Sequence, residues 1–197
     1  MQNPAAGPIV LASSSAYRRS LLDRFLGEYE AVSPRVNESS DGTELPEHLA
    51  VRLARDKAGA VSSAHRNSLI IGADQIAVLD GQVLGKPGDH QRAIEQLLAV
   101  SGRSLQFLTA VCVLGPVGRT RHEHIDRTVV HFRQFDPRLA EIYLRHDEPY
   151  DCAGSFKIEG AGSVLFESVQ TDDPTALIGL PMIWLAETLR KLGYLLP

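Results

Sequence analysis

A single acidic residue interrupts an otherwise apolar stretch of the chain. Asp74 lies within residues 68–79, a run that is mainly apolar or β-branched. Burying a carboxylate among apolar strand residues is costly unless a metal ion or a cationic side chain accompanies it. The run therefore predicts either a functional carboxylate that shares a cation or a turn residue at the end of a strand.

Glu38 is a second carboxylate that could share a cation with Asp74. It follows a predicted short strand at residues 29–36 and begins a polar loop. Magnesium sites often combine one or two protein carboxylates with phosphate oxygens of the substrate. Glu38 and Asp74 are therefore candidate metal ligands, and an ordinary exposed position for Glu38 is the alternative.

The segment Ser-Ser-Ser-Ala-Tyr-Arg-Arg at residues 13–19 could bind phosphate. Serine hydroxyls, backbone N–H groups at a helix start and guanidinium groups all donate hydrogen bonds to phosphate oxygens. The candidate residues are Ser13, Ser15, Arg18 and Arg19. The alternative is an ordinary helix N-cap followed by a solvated basic turn.

Two lysines could add positive charge to the same site. Lys86 stands between Gly85 and Pro87, a flexible and a stiff residue that together restrict where its ammonium group lies. Lys57 is on a predicted long helix and could reach the site or be solvated. The sequence lacks the P-loop pattern, so any phosphate binding must use another arrangement.

Residues 153–162 are rich in glycine, which allows a backbone to approach a ligand closely. If this segment is a strand, Lys157 and Glu159 share one of its faces. The alternative is a hairpin with an exposed ion pair.

The segment His-Glu-His at residues 122–124 has the wrong spacing for a helical zinc site, and we expect it to be solvated.

Composition limits the classes of protein that need to be considered. The chain has 197 residues, 44% of them hydrophobic and 22% charged, which is ordinary globular usage. A formal net charge of −4 argues against a nucleic-acid-binding surface.

Cys112 and Cys152 are expected to be reduced structural thiols. The sequence shows no signal peptide and no membrane span, so we expect a cytoplasmic protein without a membrane partner.

The predicted elements alternate irregularly between strand and helix, which favours one α/β unit with a mixed sheet. Strands are predicted at residues 8–12, 29–36, 68–79 with an interruption at 72–75, 82–84, 105–114 and 127–135. Helices are predicted at residues 18–26, 46–65, 89–100, 136–146 and 178–192. Residues 115–119 are a predicted turn, and residues 151–169 are predicted as strand or loop.

Taken together, these segments resemble the Maf family of nucleoside triphosphate pyrophosphatases over nearly the whole chain. The matching segments are residues 11–19, 52–58, 72–75 (GADQ), 85–87 (GKP), 153–156 (AGSF) and 179–181 (GLP). Six ordered motifs are much more specific than any one alone. Two positions depart from the family pattern: Ala16 replaces the usual proline, and Asn37 precedes Glu38 where a second acidic residue is common.

The resemblance implies a fold, a cofactor and a set of site residues. The fold would be a single Maf/ITPase-like domain over residues 1–197, with a cleft between two lobes and residues 1–7 as a flexible extension. Asp74 would be catalytic, and Glu38 would help it bind Mg²⁺ or Mn²⁺. The residues implied for triphosphate binding are Arg18, Arg19, Lys57 and Lys86. The implied assembly is a homodimer.

Three positions distinguish the branches of the family. The dTTP/UTP pyrophosphatases typically have arginine, threonine and glutamine where this chain has Tyr17, Gln75 and Glu159. The 7-methyl-GTP pyrophosphatases have an aromatic residue, glutamine and glutamate, as here. Because 7-methylguanine is cationic, a tyrosine ring could contribute a cation–π interaction of about 0.5–2 kcal/mol. Glu159 could accept hydrogen bonds from the guanine edge.

The expected reaction is hydrolysis of 7-methyl-GTP to 7-methyl-GMP and pyrophosphate, with water attacking the α-phosphorus. Two alternatives stay open at this stage. One is a housecleaning pyrophosphatase for dTTP and UTP. The other is a nucleotide-binding regulator of septum formation in which hydrolysis is incidental.

Overall fold

A computed structural model describes residues 7–40, 42–116 and 120–197, and a mixed sheet is its central element. The strands are β1 (Ile9–Ala12), β2 (Glu30–Val32), β3 (Leu69–Leu79), β4 (Gln82–Leu84), β5 (Ser104–Leu114), β6 (Arg121–Phe132) and β7 (Phe166–Gln170). Within the described residues they form one seven-stranded sheet in the order β2-β1-β3-β5-β6-β7, with β4 paired to β3. Strand β1 is parallel to β2 and β3, and the other pairs are antiparallel. The predicted α/β fold with a mixed sheet is confirmed.

Helices cover both faces of this sheet. They are α1 (Ala16–Leu22), α2 (Pro46–Ser62), α3 (His90–Val100), α4 (Pro137–Asp147) and α5 (Met182–Lys191), with short 3-10 turns at Gly162–Leu165 and Ala176–Ile178. The predicted start of α4 is confirmed, because the side chain of Asp136 caps it by accepting from the backbone N–H of Leu139 at 2.9 Å. In the described ranges, no helix is both long and apolar enough to cross a membrane.

Strand β3 separates three groups of core residues, since successive side chains along a strand face opposite sides. Its even-numbered apolar residues pack with α2. Its odd-numbered residues face the other side, where residues 69–73 pack with α1 and α5, and residues 77–79 pack with α3 and α4. Gln75 falls between these last two cores, whereas Asp74 faces α2.

A glycine in β3 allows α2 to lie unusually close to the sheet. A Cβ atom added to Gly72 would lie 2.3 Å from the carbonyl oxygen of Ala54 and 2.6 Å from the backbone nitrogen of Ala58. Gly72 and Asp74 are two residues apart and therefore face the same side. The close approach of the helix at Gly72 thus places the residue before Ala58, which is Lys57, beside Asp74.

Three strands differ clearly from their predicted extents. Strand β2 spans only Glu30–Val32 of the predicted residues 29–36. Strand β3 is continuous through residues 72–75, because this stretch pairs in register with β5 from Cys112 to Thr109. Strand β6 begins at Arg121 instead of residue 127, and its pairing with β5 runs back to Leu114. Its polar start does not show the apolar pattern that predicts a strand, but the ladder with β5 supports it.

Helices α1 and α5 also begin elsewhere than predicted. Helix α1 starts at Ala16 because Ser15 is its N-cap, and it ends at Leu22, four residues before the predicted end. Helix α5 starts at Met182 instead of residue 178, because Gly179 has a φ of +135° that is incompatible with a helix.

Most of the predicted N-terminal extension lies outside the described residues, as do residues 117–119 of the predicted turn. Residue 7 itself is described. The carbonyl oxygen of Gly7 accepts a hydrogen bond of 2.8 Å from the hydroxyl of Tyr194.

We expect Gly72→Ala to destabilise the protein by about 3 kcal/mol, because the new methyl group meets backbone atoms of α2 that cannot move independently. Gly59→Ala is the matched control, since Gly59 is an exposed residue within α2 with open space around its Cα. The control should be neutral or stabilise by up to about 1 kcal/mol. Urea unfolding measures both values, and a Gly72→Ala variant within about 0.5 kcal/mol of wild type would contradict the close packing.

Candidate active site

A cleft of about 710 Å³ opens beside β3, a volume typical of small-molecule sites. Its walls come from the segment between β1 and α1, from α2, from the loop after β4, and from the segments at residues 151–159 and 177–179. The predicted site residues that line it are Ser13, Ser15, Tyr17, Arg18, Glu38, Lys57, Asp74, Gln75, Lys86 and Glu159. Segments far apart in sequence therefore meet around one cavity.

The ammonium group of Lys57 joins the two candidate carboxylates. Its Nζ lies 2.5 Å from Oδ1 of Asp74 and 2.8 Å from Oε1 of Glu38. Lys57 and Asp74 are only 7% and 8% exposed, which is low for charged residues and explains how a carboxylate can lie within β3. Asp74 is thus in mid-strand with a cationic partner, and the alternative of a turn residue at a strand end is wrong.

Asp74 keeps one carboxylate oxygen available. Among the described residues, the Lys57 ammonium is the sole hydrogen-bond donor to its side chain, and it binds Oδ1. Oδ2 is therefore free to accept from a water molecule or to bind a cation.

Glu38 lies at the open edge of the same group, with its side chain 60% exposed. Partial burial raises the pKa of Glu38, but the hydrogen bond and charge of Lys57, with smaller contributions from Lys86 and Arg18, outweigh this effect and lower it overall. Glu38 is therefore ionised at neutral pH, as a cation ligand must be.

The donor set fits a metal ion shared with a substrate better than one held by the protein alone. Within the described residues, no group of three or more His, Cys, Asp or Glu side chains is arranged to hold a metal ion. Glu38 and Asp74 supply two carboxylates, and a magnesium ion bound to phosphate oxygens commonly needs no more from the protein.

Arg18 is fixed in the cleft wall by two hydrogen bonds. Its Nε donates to the carbonyl oxygen of Gly179 at 3.0 Å, and its Nη1 donates to Oγ of Ser13 at 3.3 Å. Burial lowers the pKa of Arg18, while the charges of Asp74 and Glu38 oppose that shift. Gly179 of the Gly-Leu-Pro motif supplies the carbonyl that orients the guanidinium, and its φ of +135° favours glycine at this position.

Ser13 and Ser15 organise the turn before α1. Oγ of Ser13 accepts from the backbone N–H of Ser15 at 3.2 Å, and Oγ of Ser15 accepts from the backbone N–H of Arg18 at 3.4 Å. Ser15 is therefore a helix N-cap, as the simpler interpretation proposed, and it also lines the cleft. Both hydroxyls act as acceptors in these contacts, so their O–H groups remain available to a ligand.

The structure does not bring Arg19 to the cleft. Its guanidinium donates to the carbonyl oxygen of Ser14 at 3.2 Å, and the side chain lines a separate surface depression with Asp23 and Tyr29. Adjacent residues on a helix point about 100° apart, and in α1 this turns Arg19 toward the surface depression while Arg18 faces the cleft.

Lys86 is exposed at the rim of the cleft, in the loop between β4 and α3. Gln96 on α3 holds this loop, because its Nε2 donates to the carbonyl oxygen of Gly85 at 2.9 Å. Its Oε1 accepts from the hydroxyl of Ser155 at 2.6 Å. A carbonyl oxygen can only accept, so the amide orientation is unambiguous. Gln96 therefore connects the Lys86 loop with residues 153–156.

The far end of the cleft contains the tyrosine and glutamate predicted to face a base. The hydroxyl of Tyr17 donates to Oδ1 of Asp151 at 3.4 Å and lies 3.6 Å from Sγ of Cys152. Burial raises the pKa of Tyr17, with Cys152 and Asp151 adding to the effect, so its hydroxyl stays protonated. Tyr17 therefore presents a neutral aromatic ring.

Glu159 lies at the rim of this end. Residues 153–160 form turns and loop, so of the two predicted possibilities, strand or loop, the loop is the one found here. Gly154 and Ser155 have positive φ values of 78° and 60°, which end any extended conformation. Lys157 and Glu159 consequently do not share a strand face. Lys157 donates from Nζ to the carbonyl oxygen of Asp147 at 2.8 Å and forms no salt bridge with Glu159 within the described residues.

Gln75 holds the wall of the cleft at residues 176–178. Its Nε2 donates to the carbonyl oxygens of Ala176 and Leu177 at 2.9 and 3.1 Å, and it lies 3.0 Å from Oγ1 of Thr109. The amide nitrogen is therefore committed to the protein, and Oε1 is the atom of Gln75 available to a ligand.

Neither cysteine is suited to act as a nucleophile. Both are free, Cys112 in the core and Cys152 half-buried beside Tyr17. Burial raises the pKa of each thiol to about 12, so almost no thiolate exists at neutral pH.

The His-Glu-His segment is part of β6 and lies outside the cleft. Glu123 pairs with Arg55 and Arg121, and the ring of His124 stacks on Trp184 at a centroid distance of 5.2 Å. These residues are partly buried, so the expectation that they are solvated was wrong. Their position outside the cleft is consistent with their exclusion from the site.

Sequence reasoning missed Asp151 and Gln96. Asp151 lies just before the Ala-Gly-Ser-Phe motif, and its proximity to that motif was the one signal that could have marked it. Gln96 is a polar residue in an amphipathic helix and carries no such signal.

The fold and the cleft define a class of protein: an α/β protein whose site combines a buried carboxylate with cations able to bind an anionic ligand. The chain belongs to the Maf family, since the sequence profile described as "Maf-like protein" matches residues 8–192.

Relatives named "7-methyl-GTP pyrophosphatase" align over nearly the whole chain. The Ralstonia nicotianae protein is 46% identical over 95% of this chain and 96% of its own length. A Xanthomonas oryzae pv. oryzae protein is 48% identical over 96% and 98%, respectively. The Albidiferax ferrireducens protein is 44% identical over 98% and 97%.

We expect Lys57→Met to destabilise the protein by about 3 kcal/mol, because it leaves the buried carboxylate of Asp74 without its cation. The double variant Lys57→Met/Asp74→Asn should recover most of that loss, since the buried charge is gone. Lys191→Met, which removes an exposed pair with Glu187, is the control and should change stability by less than about 0.5 kcal/mol. Urea unfolding at pH 7 measures all three. A double variant as unstable as the single one would show that the ion pair is not the cause.

Proposed function

We propose that this protein is a nucleoside triphosphate pyrophosphatase that converts 7-methyl-GTP to 7-methyl-GMP and pyrophosphate. The observation that carries the proposal is the meeting of two unlike groups in one cleft. Lys57, Asp74 and Glu38 form one charged group, and Tyr17 and Glu159 belong to a second group that lines the same cleft.

The names of the relatives support the same activity. Proteins called 7-methyl-GTP pyrophosphatase align with this chain at 43–48% identity, with almost no part of either sequence left out. The three positions that resemble this branch, Tyr17, Gln75 and Glu159, all line the cleft. These findings favour 7-methyl-GTP over dTTP and UTP.

In the proposed reaction, a water oxygen bonds to the α-phosphorus and the bond from that phosphorus to the bridging oxygen of the β-phosphate breaks. The carboxylate of Asp74 orients the attacking water and accepts its proton, while Lys57 holds Oδ1 and fixes the orientation of the group. Pyrophosphate is the leaving group.

The cations of the cleft stabilise the charge that develops on that leaving group. Arg18 is oriented by Gly179 and Ser13, so its remaining N–H groups are preorganised for phosphate oxygens. Lys86 adds an exposed positive charge at the rim. Ser13 and Ser15 contribute hydroxyl donors. Arg19 is left out of this proposed set because it lines another surface.

A divalent cation, Mg²⁺ or Mn²⁺, completes the proposal. Asp74 and Glu38 would hold it, and when bound it would neutralise charge on the phosphate chain. The homodimer and the cytoplasmic location expected from the sequence stay predictions.

A substrate panel tests the activity directly. With Mg²⁺ or Mn²⁺ present, we expect kcat/KM for 7-methyl-GTP to exceed the values for GTP, UTP and dTTP by at least about tenfold, because the cleft offers an aromatic ring and a carboxylate to a cationic base. The products should be 7-methyl-GMP and pyrophosphate, and chelation of the metal should stop their release.

A preference for UTP and dTTP would favour the housecleaning alternative. Binding of 7-methyl-GTP without hydrolysis would favour the regulator.

Asp74→Asn tests the proposed catalytic residue. We expect kcat to fall by about 10²- to 10⁴-fold, the usual contribution of a general base, while the protein stays folded. Asp56→Asn is the matched control, because Asp56 is an exposed aspartate on α2 that does not line the cleft. Pyrophosphate release with saturating nucleotide and metal is the measurement. Near-normal turnover of Asp74→Asn would remove Asp74 from the mechanism.

A further inference from the structure

A second carboxylate faces the proposed base end of the cleft. Asp151 lines the same cavity as Tyr17 and Glu159, and its side chain is exposed there. Its Oδ1 accepts from the hydroxyl of Tyr17 at 3.4 Å, a long contact between a neutral donor and a charged acceptor. That contact positions Asp151 beside the ring without neutralising it.

The carboxylates of this end are compensated only in part, by the charge of Lys157, which also lines the cleft. In the ranges that the structure covers, neither Asp151 nor Glu159 forms a salt bridge. The nearby cation, Lys157, directs its ammonium to the backbone carbonyl oxygens of Asp147 and Glu148. Two carboxylates therefore face the cavity without a cation in contact with either.

The pKa of Glu159 also reflects the neighbouring carboxylates. Although Glu159 is exposed at the rim, partial desolvation raises the pKa of its carboxyl. A backbone hydrogen bond and the charge of Lys157 oppose this shift, and smaller contributions from the charges of Asp147 and Asp151 add to it. The carboxylates thus repel one another, and a positive ligand between them would relieve that repulsion.

The two ends of the cleft differ in charge. Arg18, Lys57 and Lys86 outnumber Glu38 and Asp74 at the end proposed for phosphate. The other end carries the carboxylates of Asp151 and Glu159 against one lining lysine, Lys157, so its balance is negative. A nucleotide with a negative phosphate chain and a positively charged base would match both ends, whereas a neutral base would leave this excess negative charge in place.

We propose that Asp151 is a specificity-determining residue that selects nucleotides with a positively charged base. This inference rests on the proposed function, because it assigns Asp151 to recognition of the base of the same substrate. Its contribution is charge, which distinguishes it from a residue that only orients the ring of Tyr17.

Asp151→Asn separates these two roles, since asparagine keeps the shape and an acceptor oxygen but lacks the charge. The probes are 7-methyl-GTP, GTP and 7-deaza-7-methyl-GTP, which retains the methyl group on a neutral ring. For wild type, we expect kcat/KM to be highest for 7-methyl-GTP. In Asp151→Asn, its advantage over the neutral methylated analogue should fall by roughly tenfold, mainly through a higher KM.

Two further variants complete the experiment. Asp151→Glu keeps the charge and should retain most of the preference. Asp172→Asn makes the same change at an exposed aspartate outside the cleft and should leave the preference unaltered. Unfolding midpoints of all variants should match wild type, because Asp151 is exposed.

The outcomes distinguish this inference from the proposed function. If wild type shows no preference for 7-methyl-GTP over GTP, the proposed function fails. If wild type prefers 7-methyl-GTP over its neutral analogue and Asp151→Asn keeps that preference unchanged, the role of Asp151 is overturned while the proposed function stands.

Discussion

Three charges in contact, Lys57 between Asp74 and Glu38, determine how the rest of the cleft is arranged. A buried carboxylate in the middle of a strand is tolerated only because an ammonium group lies 2.5 Å away. That distance requires α2 to approach β3 as closely as Gly72 allows. Packing and electrostatics are therefore linked, since the residue without a side chain makes room for the helix that carries the cation.

Different residues of the cleft suit different parts of a nucleotide, its phosphate chain and its base. Arg18 is held rigidly by Gly179 and Ser13, which suits a group that must meet a phosphate oxygen in a defined direction. Lys86 is exposed and less constrained, which suits a charge that can follow the phosphate chain. The base end instead offers a neutral ring and carboxylates, so charge alone would orient a bound nucleotide before any close contact forms.

The sequence predicted the core of the site but not its surroundings. Asp74 could be recognised because a carboxylate is conspicuous in an apolar run, and Asp136 because aspartate before proline starts helices. Arg18 and Arg19 could not be separated, because the helix register depends on where Ser15 caps α1. The start of β6 was missed since its polar residues are supported by the ladder with β5, a long-range pairing that local patterns do not reveal.

Gln96 gives the cleft a fixed internal dimension. One amide group binds the loop that carries Lys86 and also the segment that leads to Glu159, through Gly85 and Ser155. The two segments therefore keep a constant separation, and α3 acts as a spacer between them. A nucleotide bound as proposed would have to match that separation with its own length, in addition to matching the charges at its two ends.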